Sequence, residues 1–184
     1  TDMKAKIGGY QGRKLQKDDV IAFRAPRTDL KNLSLRHISP EFVPRAEYKL
    51  RVVLGPQDDA FTELGIMTFL SSVYTLTPEF DRMGCRLDGE PIEHIKDGNI
   101  ISDGIAFGAI QVPSAGKPII MLADRQTTGG YTKIANVISA DFRILAQLKM
   151  GDRVRFEKVS ITDAQEALLA QRATLRCLCS AMNR

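Results

Sequence analysis

The segment richest in reactive side chains is Asp124-Arg125-Gln126-Thr127-Thr128-Gly129-Gly130-Tyr131, which follows the apolar run 118–123. Threonine hydroxyls and a glutamine amide both donate and accept hydrogen bonds, so Gln126, Thr127 and Thr128 can hold an amide. Asp124 can orient a substrate amine or take a proton. Adjacent glycines let backbone N–H groups turn into a concavity, so Gly129-Gly130 can form an anion nest at a barrel rim. The same residues also suit a polar hairpin loop in which Asp124 satisfies turn amides.

A second cluster is Asp81-Arg82-Met83-Gly84-Cys85-Arg86-Leu87. Arg82 and Arg86 are four apart, which on a strand places them on one face. Two guanidinium groups there can hold a carboxylate or phosphate bidentately. Pairing with Glu79, Asp88 or Glu90 at the surface is the competing use. Gln111 stands among apolar neighbours just before Pro113, either as a hydrogen-bonded core amide or as a pocket residue.

Several chemistries lack their residues. The two histidines, His37 and His94, have no Cys or carboxylate partners at ligand spacing, so no metal site is expected. There is no G-x-S-x-G elbow, and Gly116-Lys117 runs into Pro118 rather than completing a P-loop. Met3-Lys4 lies in a charged stretch, so this chain is not expected to carry biotin itself.

The elements that must position these groups are mostly strands. Residues 49–54, 72–77, 82–87, 104–112, 118–123, 134–138 and 153–159 alternate or run apolar between turn residues. Asp58 or Asp59 can cap a first helix, with Phe61, Leu64 and Leu70 among its apolar contacts, and Ser139 a short one through Leu148. Thr162-Asp163-Ala164-Gln165 reads as a capping box opening a helix to about Cys179. Many short strands with two or three short helices predict a mainly β barrel rather than a doubly wound sheet. Residues 1–47 read as an arm or connecting region, where Pro26, Pro40 and Pro44 oppose a long helix; residues 48–184 read as the barrel domain with its C-terminal helix.

The chain has 184 residues, 43% hydrophobic and 26% charged, enough to build a core without staples. Its 26 Lys and Arg against 22 Asp and Glu leave a scattered net charge of +4, so no nucleic-acid footprint is present. Cys85, Cys177 and Cys179 form no disulfide framework, which predicts a reducing, cytoplasmic setting. No apolar stretch approaches the roughly 18 residues of a membrane span.

Taken in order, the blocks Gly55-Pro56-Gln57-Asp58, Arg82-Met83-Gly84-x-Arg86-Leu87, residues 108–113 (Gly-Ala-Ile-Gln-Val-Pro), Ala123-Asp124-x-Gln126-Thr127-Thr128-Gly129-Gly130-Tyr131, Ala140-Asp141 and Gly151-Asp152-x-Val154-Arg155-Phe156 resemble the allophanate hydrolase subunit 2 family. That family is also described as KipA-like, as the C-type subunit of 5-oxoprolinase and as biotin-dependent carboxyltransferase-like. The resemblance implies a cyclophilin-like β-barrel. It also implies roughly a hundred further residues upstream, so that this chain would be a fragment or a split protein, inactive alone.

The resemblance further implies one subunit of an ATP-dependent 5-oxoprolinase that opens 5-oxoproline to glutamate. It would work with a KipI-like, B-type subunit, with the A-type subunit of 5-oxoprolinase as a further partner. ATP, which magnesium can accompany, would be held by the complex. Read from residue type, the expected site has Asp124, Arg82 and Arg86 as catalytic residues, and Gln111, Gln126, Thr127, Thr128 and Tyr131 binding a small amide. Two alternatives stand beside it: a carboxyltransferase domain for urea or allophanate that receives biotin from another chain, and a non-enzymatic antagonist of a histidine-kinase inhibitor.

Overall fold

The computed structural model describes Met3, residues 5–22 and residues 47–182. The chain divides into two compact units, Thr1–Ser39 and Pro40–Arg184. Pro26, Pro40, Pro44 and His37 lie outside the described residues. In the first unit, Gly8 to Arg13 is a pair of overlapping turns: Gly12 N–H donates to Gly8 C=O at 3.0 Å and Arg13 N–H to Tyr10 C=O at 3.1 Å. Arg13 then grips Asp19 with both ends of its guanidinium, at 2.8 and 2.7 Å.

Among the described residues of the second unit are eight strands and three α-helices. They are β1 Glu47–Leu54, α1 Glu63–Ser71, β2 Tyr74–Phe80, β3 Gly84–Asp88, β4 Asn99–Gly104, β5 Ala109–Val112, β6 Ile119–Met121, β7 Thr128–Val137, α2 Phe142–Leu145, β8 Arg153–Lys158 and α3 Ile161–Met182. The sheet runs β1-β8-β2-β3-β6-β5-β7, and β7 pairs back onto β1, so seven strands close into a barrel. β4 stays outside this closure, paired with the first half of β7 while β1 takes the second half. β1 and β8 run parallel. The architecture is mainly β, a closed barrel with helices, as the strand pattern predicts.

Alternation builds the interior. In β1, Tyr48, Leu50 and Val52 are buried, and in β8, Val154 and Phe156. Their neighbours face out, because successive side chains on a strand point to opposite sides. Phe156 stacks on Phe69 of α1 at 4.4 Å between centroids and tilts against Tyr74 at 5.7 Å. Burying each large side chain contributes about 1.5–3 kcal/mol. Burial pushes the Tyr74 phenol and the Cys85 thiol each up to about 12.

Several local expectations are corrected. Asp58 and Asp59 sit in a separate 3-10 turn, and α1 is capped by Thr62, whose Oγ1 accepts from Gly65 N–H at 2.9 Å. The run 104–112 is not one strand. It breaks between β4 and β5 at Gly108, where φ is +83° and a Cβ would lie 2.7 Å from the Phe142 ring. Ser139 starts a 3-10 turn without capping it. The capping box of α3 falls earlier than expected: Ser160 Oγ accepts from Asp163 N–H at 3.1 Å, and Asp163 Oδ2 accepts from Ser160 N–H at 3.1 Å.

Candidate functional site

Strands β3, β6 and β5 decide where the site lies. Cys85, Leu87, Ile110, Val112 and Ile120 belong to the interior cluster. Their alternates, Gly84, Arg86, Gln111, Ile119 and Met121, therefore face the outside of the barrel wall. The register places them side by side: Gly84 opposite Met121, Arg86 opposite Ile119, and Gln111 opposite Ile119. Over this outer wall lies a cleft of about 500 Å³. Met121 belongs to a second, small apolar cluster with Ile105 and Ala109, against which Ile119 packs. Ile119 and Met121 are among its apolar lining, Gln111 is its buried polar group, and Arg86, Gln126, Tyr131 and the carboxylates Glu79 and Asp81 complete its polar lining. The cleft lies against the barrel's outer wall and reaches the β2–β3 turn and the loop before β7.

Four of the eight expected residues line this cleft: Arg86, Gln111, Gln126 and Tyr131. Gln111 is 4% exposed, and its Nε2 is buried with no hydrogen-bond partner. Such a group costs about 1–3 kcal/mol unless something satisfies it. The Nε2 end is therefore not bonded within the core, although the residue lines the cleft. Arg86 is partnered by Glu79, Nε to Oε2 at 2.7 Å, an exposed pair on the cleft's edge. Exposed pairs exchange partners at little cost, so Arg86 remains able to meet an incoming carboxylate.

The other four stand apart from the cleft lining. Arg82 precedes β3, in the turn where Asp81 Oδ1 accepts from Met83 and Gly84 N–H at 2.8 and 3.2 Å. It therefore does not share a strand face with Arg86. Instead it clasps Asp124 with Nε and Nη2, at 2.5 and 3.0 Å, while Asp124 N–H donates to Arg82 C=O at 2.8 Å. The guanidinium holds the Asp124 carboxyl below its usual range. Arg82 is 75% and Asp124 52% exposed, so the pair is a surface clasp between the β2–β3 turn and the loop after β6. Thr127 contributes its C=O, which accepts from Ile105 N–H at 2.9 Å, and Thr128 opens β7 opposite Gly104.

The anion nest considered for Gly129-Gly130 is overturned. Gly129 and Gly130 lie inside β7 and neither has positive φ, which a nest requires. β7 starts at Thr128 because β4 supplies it with a partner strand, which local composition does not reveal.

Sequence reading passed over Lys133 and Asp103, and met Gln57 only as part of a family block. Lys133 stands opposite Gln111 in the β5–β7 ladder and is 2% exposed. Its Nζ donates to Asp103 Oδ2 at 3.0 Å, and Gln57 Nε2 donates to the same oxygen at 3.2 Å. Gln57 Oε1 also accepts from Lys133 N–H at 3.2 Å. The hydrogen bond from Lys133, then those from Gly104 N–H and Gln57, hold the Asp103 carboxyl below its usual range. A lysine inside an apolar run was the available signal. His94 is a structural residue here: its Nε2 bonds Val112 C=O and Thr132 Oγ1 at 3.0 and 3.1 Å, and burial lowers its pKa. Among the described residues, no group of three or more His, Cys, Asp or Glu can hold a metal, and no helix is long and apolar enough to cross a membrane.

Comparison with known proteins gives a consistent setting. The sequence model of a family described as carboxyltransferase domain, subdomain A and B, matches residues 1–158. The chain is 38% identical over 164 residues to the C-type subunit of 5-oxoprolinase from Haemophilus influenzae, covering 89% of this chain and 51% of that protein. It is 32% identical over 169 residues to the corresponding 5-oxoprolinase subunit from Escherichia coli, covering 91% and 52%. It thus spans about half the length of these relatives. The crystal structure of Kluyveromyces lactis urea carboxylase superimposes with a TM-score of 0.71 at 24% identity over 76% of this chain and 13% of that one, which shows a shared fold.

Proposed function

The chain belongs to the carboxyltransferase domain family with subdomains A and B, and from that premise we propose that it is the C-terminal half of a 5-oxoprolinase subunit whose outer-wall cleft binds the lactam. The observation that carries this reading is Gln111, a buried side chain whose Nε2 has no partner, in the lining of a cleft with Gln126, Tyr131 and Arg86. 5-Oxoproline is a small ring with one amide edge and one carboxylate. Gln111 and Gln126 match the amide, Ile119 and Met121 match the ring's CH₂ edge, and Arg86 matches the carboxylate.

In this reading Arg82 and Asp124 act on the loop that carries Gln126 and Thr127, holding it against the β2–β3 turn. The cleft's single arginine suits one carboxylate rather than a triphosphate, so ATP sits on another part of the complex, formed with a KipI-like partner and the A-type subunit. ATP activates the lactam carbonyl towards water; this chain's residues bind and orient the ring. The cytoplasmic setting belongs to the same proposal.

The test is Gln111→Ala in the full-length protein, reconstituted with its partner subunits and supplied with ATP. The expected result is a rise of about tenfold or more in KM for 5-oxoproline, the loss of a buried hydrogen bond to substrate. An unchanged KM in a folded variant overturns the reading. Turnover of urea with a biotin carrier, in place of 5-oxoproline, would move the assignment to carboxyl transfer. Tight partner binding without either activity would move it to a regulator.

A further inference from the structure

Gly129 is a glycine in a place where the backbone does not ask for one. It lies inside β7 without positive φ, so any residue type suits its backbone. What it lacks is room. A Cβ there would lie 2.7 Å from Ile105 Cδ1 and 3.1 Å from Gln111 Nε2. Neighbouring Gly130 differs: its Cβ would meet Ile100 C=O at 3.2 Å, well away from the cleft's amide. Gly129, Tyr131 and Lys133 are alternate residues of β7, and Lys133 pairs with Gln111 across the ladder. The row therefore runs along one flank of the Gln111 side chain.

We propose that Gly129 is a positioning residue: the space left by its missing side chain is where the Gln111 amide rests, and this sets how far that amide projects into the cleft. The inference rests on the cleft being the lactam site. Both atoms that a Cβ would meet are side-chain ends, Ile105 Cδ1 and Gln111 Nε2, so the barrel backbone need not move. Ile105 is buried and packs with Ala109 and Met121, which limits its retreat. The glutamine side chain, by contrast, borders the cleft. An added methyl group therefore drives the amide forward into the volume the ring would occupy. The effect falls on the amide edge of the ligand and leaves the Arg86 end alone.

The experiment uses the full-length protein with its partner subunits, ATP and 5-oxoproline. Gly129→Ala is expected to raise KM for 5-oxoproline about tenfold, with a smaller change in kcat and an unchanged thermal midpoint. Inhibition by 2-pyrrolidinone, the same ring without the carboxylate, should weaken by the same factor. The double variant Gly129→Ala, Ile105→Val removes the Cδ1 that blocks retreat and should recover most of the lost affinity.

An unchanged KM in folded Gly129→Ala, while Gln111→Ala raises it, overturns the role of Gly129 and spares the lactam site. An unchanged KM in Gln111→Ala overturns both. Failure of the double variant to recover, or failure of both Gly129 variants to fold, makes Gly129 a requirement of the barrel and overturns the proposal as well.

Discussion

The outer face of the barrel over β1 and its outer wall over β3, β6 and β5 treat buried polar groups in opposite ways. Asp141 is 2% exposed and fully engaged: it accepts from Arg51 N–H, Nε and Nη2 at 2.8, 3.0 and 2.6 Å, tying β1 to the turn after β7. Gln111 is buried to a similar degree, yet its Nε2 meets nothing. A buried polar group without a partner is costly, so folds retain few of them. The difference separates a region whose buried carboxylate is bonded within the fold from one that leaves a buried donor open. Placing the cleft on the flank lets the interior stay packed while the wall carries the open valence.

Phe156→Ala has the largest expected effect, because it breaks the packed interior on which both faces rest. Phe156 is 2% exposed and touches both Phe69 and Tyr74, so its loss should cost about 3–5 kcal/mol in denaturant unfolding. A cost below about 1 kcal/mol would mean that the aromatic stack is not the centre of the core. Gln111→Met sharpens the wall side. It replaces an unsatisfied amide with an apolar chain of similar size, so stability should hold or rise by about 1 kcal/mol while 5-oxoproline turnover falls. A destabilised Gln111→Met would show that the amide is bonded in solution and is structural.

The smallest effect concerns acid. Asp103 has its pKa depressed first by the Lys133 hydrogen bond, so the stability it contributes is present above the ordinary carboxylate range, near about pH 4. That contribution is lost as pH falls through the depressed value. The thermal midpoint of Asp103→Asn should consequently fall less steeply than that of the parent below about pH 4. Parallel curves would remove Asp103 from the acid limb.

Much of the barrel was legible because a strand writes its two faces as alternating residue types, and β1 and β8 do so plainly. Gln111, Gln126 and Tyr131 were legible as polar groups beside apolar runs. What was not legible depended on partners far along the chain. Arg82 and Asp124 are 42 residues apart, and Lys133 meets Asp103 across 30. The glycine pair misled because Gly-Gly resembles a turn until β4 is found beside it.

By itself the sequence determined the strand content, the family blocks and the residue types available to a small-amide site. Period two states that two faces differ, and it is silent on which face another element will cover. Only the tertiary structure decided that the interior takes Ile110 and Val112, leaving Gln111 on the flank, and that Gly129 gives way to an amide rather than to a turn. The reason is physical: alternation is local, whereas closure of β7 onto β1 and the addition of β4 are set by packing across the whole barrel.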